Sequence, residues 1–119
     1  MAEGEQGGLA VVVVKAYDFT MWLLPKVEKF ARSYKFTVGE RLVGHGLDLL
    51  LLLVESAYAH NKAALLQEAS TKVNGLRYLL RLSKDLKLLS LDSYGFAAER
   101  LDEIGRMVGG WHKSAVKRT

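Results

Sequence analysis

The sequence predicts an all-α protein, an antiparallel four-helix bundle, on the strength of three observations. Apolar residues recur at spacings of three and four over most of the chain, which is the period of an amphipathic helix. The chain has a single proline, and strand-like alternation is scarce after Val14. Short breaks divide the periodic part into four segments, the pattern expected of helices that pack antiparallel to their neighbours.

Length and composition fit one compact domain. The 119 residues are 50% hydrophobic and 25% charged, which excludes a disordered or low-complexity chain. The absence of cysteine excludes disulfides and thiolate metal sites. The longest purely apolar runs, residues 9–14 and 49–54, are much shorter than the roughly 20 residues of a membrane-spanning helix. We therefore expect a cytoplasmic protein without a membrane partner, since no basic region precedes the first apolar run.

The first helix is expected over residues 15–33. The four valines before it fit either an extended arm or a first helical turn, because β-branched residues tolerate extended structure. Pro25 lies inside the helix and predicts a kink or a break there, because proline lacks an N–H and clashes with the preceding turn. The expected division of the chain is an N-terminal arm, a four-helix bundle and a flexible basic tail, over residues 1–14, 15–112 and 113–119.

The other three helices are placed by their ends. Thr37 and Glu40 fit a capping box at the start of the second helix. Asn61 is the expected N-cap of the third helix, which should reach about residue 89. A break at residues 90–93 then precedes the fourth helix, and the paired glycines at 109 and 110 are expected to end it.

Two helices carry more apolar residues than one buried face requires. Residues 49–54 are apolar around the whole helix, and a helix that is apolar on several faces must be covered on several faces. The sequence therefore predicts an oligomer, the alternative being a well-buried central helix in a monomer. Trp22 and Trp111 are expected to be core or interface anchors rather than platforms on which bases stack. The third helix has two apolar sets, the first Leu66, Ala69, Val73, Leu76 and Leu80, the second Leu79, Leu82, Leu86 and Leu89.

Basic residues concentrate in the second half of the chain. Residues 1–60 hold six Lys/Arg and seven Asp/Glu, a net charge of −1, whereas residues 61–119 hold eleven and six, a net charge of +5. On the third helix Arg77, Arg81 and Lys84 share one face, and Lys87 flanks them. Several guanidinium groups on one rigid helix bind phosphates well, so this face suits a nucleic acid. The alternative, common for charged helix faces, is a solvated surface.

Motifs for catalysis and for metal binding are incomplete. Residues 39–46 lack the Lys-Ser/Thr pair that a P-loop requires after its second glycine. No histidine has a glutamate three residues before it, as di-metal helical bundles require. His45 and Asp48 lie one turn apart and leave an acid/base pair open, although Arg41 is closer to His45 than in helical-bundle ribonucleases. We expect no enzymatic activity, no cofactor and no metal.

Two segments of the later helices resemble a known family. They are residues 76–82, Leu-Arg-Tyr-Leu-Leu-Arg-Leu, and residues 104–111, Ile-Gly-Arg-Met-Val-Gly-Gly-Trp. Over about residues 17–113 the chain resembles the accessory variability determinant (Avd) proteins of diversity-generating retroelements. That family belongs to a wider group of four-helix bundles, which includes the rRNA intervening-sequence proteins.

The resemblance implies a homopentameric barrel of four-helix bundles with a basic surface and no catalytic activity. Such a protein binds the retroelement reverse transcriptase and nucleic acid, either RNA or DNA, and supports mutagenic cDNA synthesis. The resemblance makes Arg77 and Arg81 the expected contacts with polymerase or RNA, while Lys84 and Lys87 rest on charge. Arg106 of the second segment completes the expected site, the alternative being a surface pair with Glu103. The alternative function is that of an intervening-sequence-type bundle, structural or RNA-associated, without a polymerase partner.

Overall fold

Four long helices form an antiparallel bundle in the computed structural model, which describes the backbone of residues 2–118 and the side chains of residues 8–117. Each helix packs against the next one in the chain, and the fourth closes the ring against the first less extensively. The molecule measures 47 × 22 × 19 Å, and its longest helix, α4 with 28 residues, has a length of about 42 Å. The helices are α1 (Ala2–Glu28), α2 (Glu40–Tyr58), α3 (Ala63–Asp85) and α4 (Leu91–Arg118).

One apolar stripe from each helix builds the core. Each fully buried leucine in these stripes contributes roughly 1.5–3 kcal/mol to folding. The three buried hydroxyl groups are satisfied locally, because each donates to the carbonyl four residues earlier, at 2.7–2.8 Å. These three hydroxyl groups therefore need no partner from another helix. Fully buried members of the core include Leu9, Leu23, Leu42, Leu53, Leu66, Leu76, Leu80, Leu101 and Ile104.

Residues 9–14 belong to α1, so the expected N-terminal arm is wrong for the described part of the chain. Leu9 and Val12 are fully buried in the core. Their burial outweighs the few tenths of a kcal/mol by which valine disfavours a helix. The helix also continues through Pro25 to Glu28, so the alternative of a break at this proline is wrong. Met1 lies outside the described residues.

Within the described chain, the part of α1 at Gly8–Glu28 is long and apolar enough to cross a membrane by length and composition alone. The purely apolar runs do not reveal this, because Lys15 and Asp18 interrupt the stretch. A core helix of a bundle passes the same test. Since α1 buries Leu23 and its neighbours against the other helices, we interpret it as a bundle helix.

The connection between α1 and α2 is itself helical, and the expected capping box is wrong. A single α-helical turn at Arg32–Tyr34 leads into a π-helical turn at Lys35–Gly39, which runs directly into α2. Thr37 Oγ1 donates to the carbonyl of Tyr34 at 3.3 Å, and the N–H of Glu40 donates to the carbonyl of Thr37. Because helical carbonyls already precede α2, its first N–H groups need no side-chain cap.

Side-chain oxygens accept hydrogen bonds from N–H groups in the first turns of α3 and α4. Asn61 Oδ1 accepts the N–H of Ala63 at 3.4 Å, although the cap position itself is Lys62. Ser90 Oγ accepts the N–H of Ser93 at 3.1 Å, which is the bond expected of an N-cap serine. The break between these helices therefore covers residues 86–90 rather than 90–93.

Helix α3 ends earlier than expected because the chain turns at Lys87 in the left-handed conformation, with φ 63°. The N–H of Leu88 donates to the carbonyl of Ser83 at 2.8 Å, and the N–H of Lys87 donates to the carbonyl of Lys84 at 2.9 Å. These two bonds define a Schellman turn, in which this position is usually glycine.

Replacing Lys87 by glycine is expected to stabilise the fold by about 1 kcal/mol, since a left-handed backbone costs an L-residue about this much and costs glycine little. The midpoint of thermal unfolding should rise by about 4 °C. Lys87→Ala removes the same charge and keeps the strain, so it should give no such gain. A lower midpoint for Lys87→Gly than for Lys87→Ala would contradict the observed turn.

Helix α4 continues to Arg118, so the expected stop at Gly109 and the expected tail over residues 113–119 are wrong in the described chain. Beyond the paired glycines, Trp111 and Ala115 pack against the core. This burial offsets the roughly 1 kcal/mol by which each glycine disfavours a helix. Trp111 also lies close against α1, because a Cβ at Gly8 would overlap its ring. Thr119 lies outside the described residues.

Replacing Gly109 and Gly110 by alanine is expected to stabilise the protein by about 1–2 kcal/mol in total. Both positions are helical and exposed, and a Cβ at either would meet nothing within 4 Å. Denaturant unfolding measures the change. Gly8→Ala serves as the contrast and should destabilise, because the added methyl group meets Trp111. Destabilisation by the paired alanines would instead indicate a left-handed stop at this point.

Candidate nucleic-acid interface

Four of the five predicted site residues lie on α3 or on the turn that follows it. Arg77, Arg81 and Lys84 follow one another along the edge of α3 that faces α4. Lys87 in the Schellman turn ends this row. We call these four residues the basic strip.

Arg77 is held between α3 and α4. Its Nη2 lies 3.4 Å from Asp102 Oδ1, and its Nη1 donates to Asn74 Oδ1 at 3.4 Å. Gly105 permits this close approach, because a Cβ there would lie 2.7 Å from Arg77 Nη2. Both members of the ion pair are exposed, and such pairs contribute about 1 kcal/mol or less. A phosphate can therefore replace Asp102 as the partner of Arg77.

Lys84 is directed towards the first turn of α4. Its Nζ lies 4.8 Å from the centre of the Tyr94 ring and 3.5 Å from Asp85 Oδ1. The ring holds the ammonium group in place without neutralising its charge. Lys84 thus presents a positioned cation at the end of the groove between the two helices.

Arg81 and Lys87 complete the strip as exposed cations. Neither has an ion-pair partner among residues 8–117, and the same is true of Arg106 on α4. Their charges are therefore available to an anion in solution.

A shallow groove of about 520 Å³ lies along the strip, which we call the α3–α4 groove. Tyr78 is 72% exposed and stands between two arginines of the strip. Aromatic rings that alternate with cations suit single-stranded nucleic acid, since rings stack on bases while cations bind phosphates. Sequence reasoning missed both tyrosines, although the position of Tyr78 between two arginines was a usable signal. The groove is lined by Asn74, Arg77, Tyr78, Arg81 and Tyr94.

Arg106 does not join the α3–α4 groove. It lies one turn beyond Asp102 on α4 and is absent from the groove lining. The alternative of a surface pair with Glu103 is wrong, because Glu103 Oε2 lies 3.1 Å from Lys15 Nζ on α1. The structure thus leaves Arg106 as an exposed cation beside the site.

The open acid/base pair of α2 is not formed. His45 Nδ1 lies 3.1 Å from the carbonyl oxygen of Arg41, whereas Asp48 Oδ2 lies 3.2 Å from Lys72 Nζ. Each side chain therefore has a different partner. Among the described residues, no group of three His, Asp or Glu side chains is placed to hold a metal ion.

A second surface feature is an uncharged row of exposed side chains on α1 and α2. Contacts of Leu23 and Val27 with the glycines at 46 and 39 set the antiparallel register, which brings the two rows to the same level. The charged neighbours on α1, Lys15 and Asp18, lie on the other side, towards α4. We call the row the apolar face. It consists of Val14, Tyr17 and Met21 on α1 and of Leu47, Leu51, Val54 and Tyr58 on α2.

This face accounts for only part of the apolar excess in the sequence. Leu51 and Val54 are exposed, so residues 49–54 do leave apolar surface uncovered. The second apolar set expected for α3 behaves differently, because the bundle itself buries Leu89 and covers Leu79 and Leu86 in part. Only Leu82 among its four members is largely exposed, so the support for an oligomer lies in α1 and α2 rather than in this set, and the oligomer stays a prediction.

Comparison with known proteins supports the family resemblance that the sequence shows. A family model described as bAvd-like matches residues 10–115, a range that includes most of α1 and α4 and all of α2, α3 and the basic strip. Comparison with curated proteins gave no match, and comparison with solved structures gave none either. Because the family model matches most of the chain, the protein belongs to the bAvd-like family.

Proposed function

We propose that the protein is a non-enzymatic accessory protein of a diversity-generating retroelement. It binds the reverse transcriptase and nucleic acid in the cytoplasm, and so supports mutagenic cDNA synthesis. The observation that carries the proposal is the basic strip beside the α3–α4 groove in a bAvd-like chain.

The strip suits a polyanion because its cations are aligned, three of the four are exposed, and the ion pairs of Arg77 and Lys84 are weak. Arg77 can exchange Asp102 for a phosphate, and Arg81 has no acidic partner among residues 8–117. Phosphate contacts of this kind give affinity without reading the base sequence. The strip therefore fits RNA, cDNA or an acidic surface of the polymerase.

The proposal assigns the chemistry of cDNA synthesis to the polymerase alone. The acid/base candidates His45 and Asp48 are engaged by different partners on the bundle surface. No role for a metal or an organic cofactor is included.

The proposal also includes a homopentamer in which the apolar face forms the contact between chains. Contiguous exposed apolar surface usually marks a protein interface, because leaving it in water is unfavourable. The ring order of the helices places the α1–α2 pair opposite the α3–α4 pair. An assembly through the apolar face would leave the basic strip open and repeat it around the outside. The number five rests on the family resemblance.

Co-expression with the reverse transcriptase and template RNA of the same genetic locus tests the function. Capture of the accessory chain should retain the polymerase, and cDNA should form only when both proteins are present. The Arg77→Ala/Arg81→Ala variant should lose cDNA synthesis, whereas Lys29→Ala/Arg32→Ala, with the same loss of charge elsewhere, should keep it. Failure of the unaltered protein to retain the polymerase would overturn the proposal, and RNA binding without it would favour an intervening-sequence-type role.

A further inference from the structure

A second groove, of about 310 Å³, lies between α1 and α4, on the other side of α4 from the basic strip. Buried Phe19 and Ile104 form its floor. The rings of Trp22 and Phe96 stand side by side in it, with their centres 5.3 Å apart and their planes inclined at 36°. We call this the α1–α4 groove. It is lined by Lys15, Asp18, Phe19, Trp22, Phe96, Arg100, Glu103 and Ile104.

Cationic side chains lie over both rings. Arg100 Cζ lies 4.7 Å from the centre of the Phe96 ring, and Lys26 Nζ lies 5.5 Å from the centre of the Trp22 ring. Phe96 is 41% exposed, so part of its surface is open to a ligand. The groove thus combines accessible aromatic surface with cations at the same spot.

The charges of the rim exclude some occupants. An apolar peptide side chain would have to desolvate Lys15, Asp18, Arg100 and Glu103, which makes it a poor fit. Glu103 is paired with Lys15 at 3.1 Å, which leaves Arg100 and Asp18 as the unpaired charges of the lining. Lys26, which lies over the Trp22 ring just outside the lining, adds a second cation for an anionic ligand. The ligand should therefore have a flat aromatic part and an anionic part.

We propose that the α1–α4 groove binds one unstacked base of a single-stranded nucleic acid. The base replaces the Arg100 guanidinium over Phe96 or the Lys26 ammonium over Trp22, and the displaced cation then holds the adjoining phosphate. Any base has a flat face for stacking, and a carboxylate such as Asp18 accepts hydrogen bonds from exocyclic amino groups. This proposal rests on the proposed nucleic-acid-binding function and extends it to a site that reads bases as well as phosphates.

The two grooves are close enough to take one strand. Tyr94 lines the α3–α4 groove, and Phe96, two residues later, lines the α1–α4 groove. Only the first turns of α4, a helix about 10 Å across, separate them. A strand of a few nucleotides that crosses this end of α4 would place phosphates on the basic strip and a base in the α1–α4 groove.

Fluorescence of Trp22 tests the proposal directly. The chain has two tryptophans, so a Trp111→Phe background leaves Trp22 as the sole tryptophan, which is excited selectively at wavelengths that tyrosine does not absorb. The probes are an oligoadenylate and an abasic oligonucleotide of the same length and charge. The oligoadenylate should quench Trp22 and bind about tenfold more tightly than the abasic strand.

Phe96→Leu keeps the apolar side chain and removes the ring, so it should abolish most of this preference for bases. Phe36→Leu removes another exposed ring with a cation over it, in the connection between α1 and α2 and outside both grooves, so it should leave the quenching of Trp22 unchanged. Equal affinity for the two probes without quenching would overturn the base site alone and leave the phosphate-binding strip intact. Absence of binding to either probe at low salt would overturn the base site and the nucleic-acid part of the proposed function together.

Discussion

Simultaneous replacement of Arg77 and Arg81 by alanine should weaken binding of a single-stranded RNA by about tenfold or more near 0.1 M salt. Both side chains line the α3–α4 groove and are placed to bind phosphates. Each lost contact with a single strand should lower the salt dependence of binding by about 0.7 in log–log slope. Titration of a labelled RNA over about 0.05 to 0.3 M salt measures both quantities.

Two further variants make this experiment specific to the strip. Lys29→Ala/Arg32→Ala removes the same charge at exposed positions outside the groove and should change binding much less. Asp102→Asn removes the carboxylate that lies 3.4 Å from Arg77 and should increase affinity a few-fold, about what an exposed ion pair contributes. An unchanged salt dependence in the double arginine variant would show that the basic strip is only a solvated surface and does not bind the RNA.

Substitution of Leu51 by lysine should convert the proposed assembly into single, folded chains. Leu51 is 63% exposed in one chain, so the change costs folding little. In an assembly through the apolar face, however, each ammonium group would lie among apolar side chains without a partner, which costs several kcal/mol per contact. Light scattering gives the mass in solution, and circular dichroism reports whether the helices persist.

Leu82→Lys is the matched control for this change. Leu82 is 44% exposed on α3, away from the apolar face, so its replacement should leave the mass unaltered. The assembly hypothesis fails if the unaltered protein already has the mass of one chain. The assignment of the contact to the apolar face fails if Leu51→Lys assembles as well as the control.

The sequence predicts the number of helices because each helix must bury one apolar face. That burial requires apolar residues at spacings of three and four, which are visible in the sequence whatever the local composition. Helix ends were predicted less well, since tertiary burial outweighs local preference there. Valines 11–14 and the glycines at 109 and 110 disfavour a helix, yet Val12 and Trp111 pack against the rest of the bundle and hold it. Lys87 carried no signal for a turn because glycine usually occupies that position.

The candidate site, like the fold, could be predicted from the sequence only in part. Alignment of Arg77, Arg81 and Lys84 follows from spacing alone, because residues three and four apart share one side of a helix. The pairing of Arg77 with Asp102 and the approach of Tyr94 to Lys84 depend on the register between α3 and α4, which spacing within one helix does not contain. The α1–α4 groove likewise depends on Trp22 and Phe96, which are far apart in the sequence.

The close approach of Trp111 to Gly8 has a practical consequence for engineering the protein. It places the beginning of α1 beside the end of α4, at the end of the bundle opposite the connection at residues 86–90. A short linker could join the two chain ends, and new ends could be opened within residues 86–90, in a circular permutant that keeps every helix intact. Reporter domains fused before α1 and after α4 would emerge side by side, suited to energy transfer, and would leave the flanks of the bundle unobstructed.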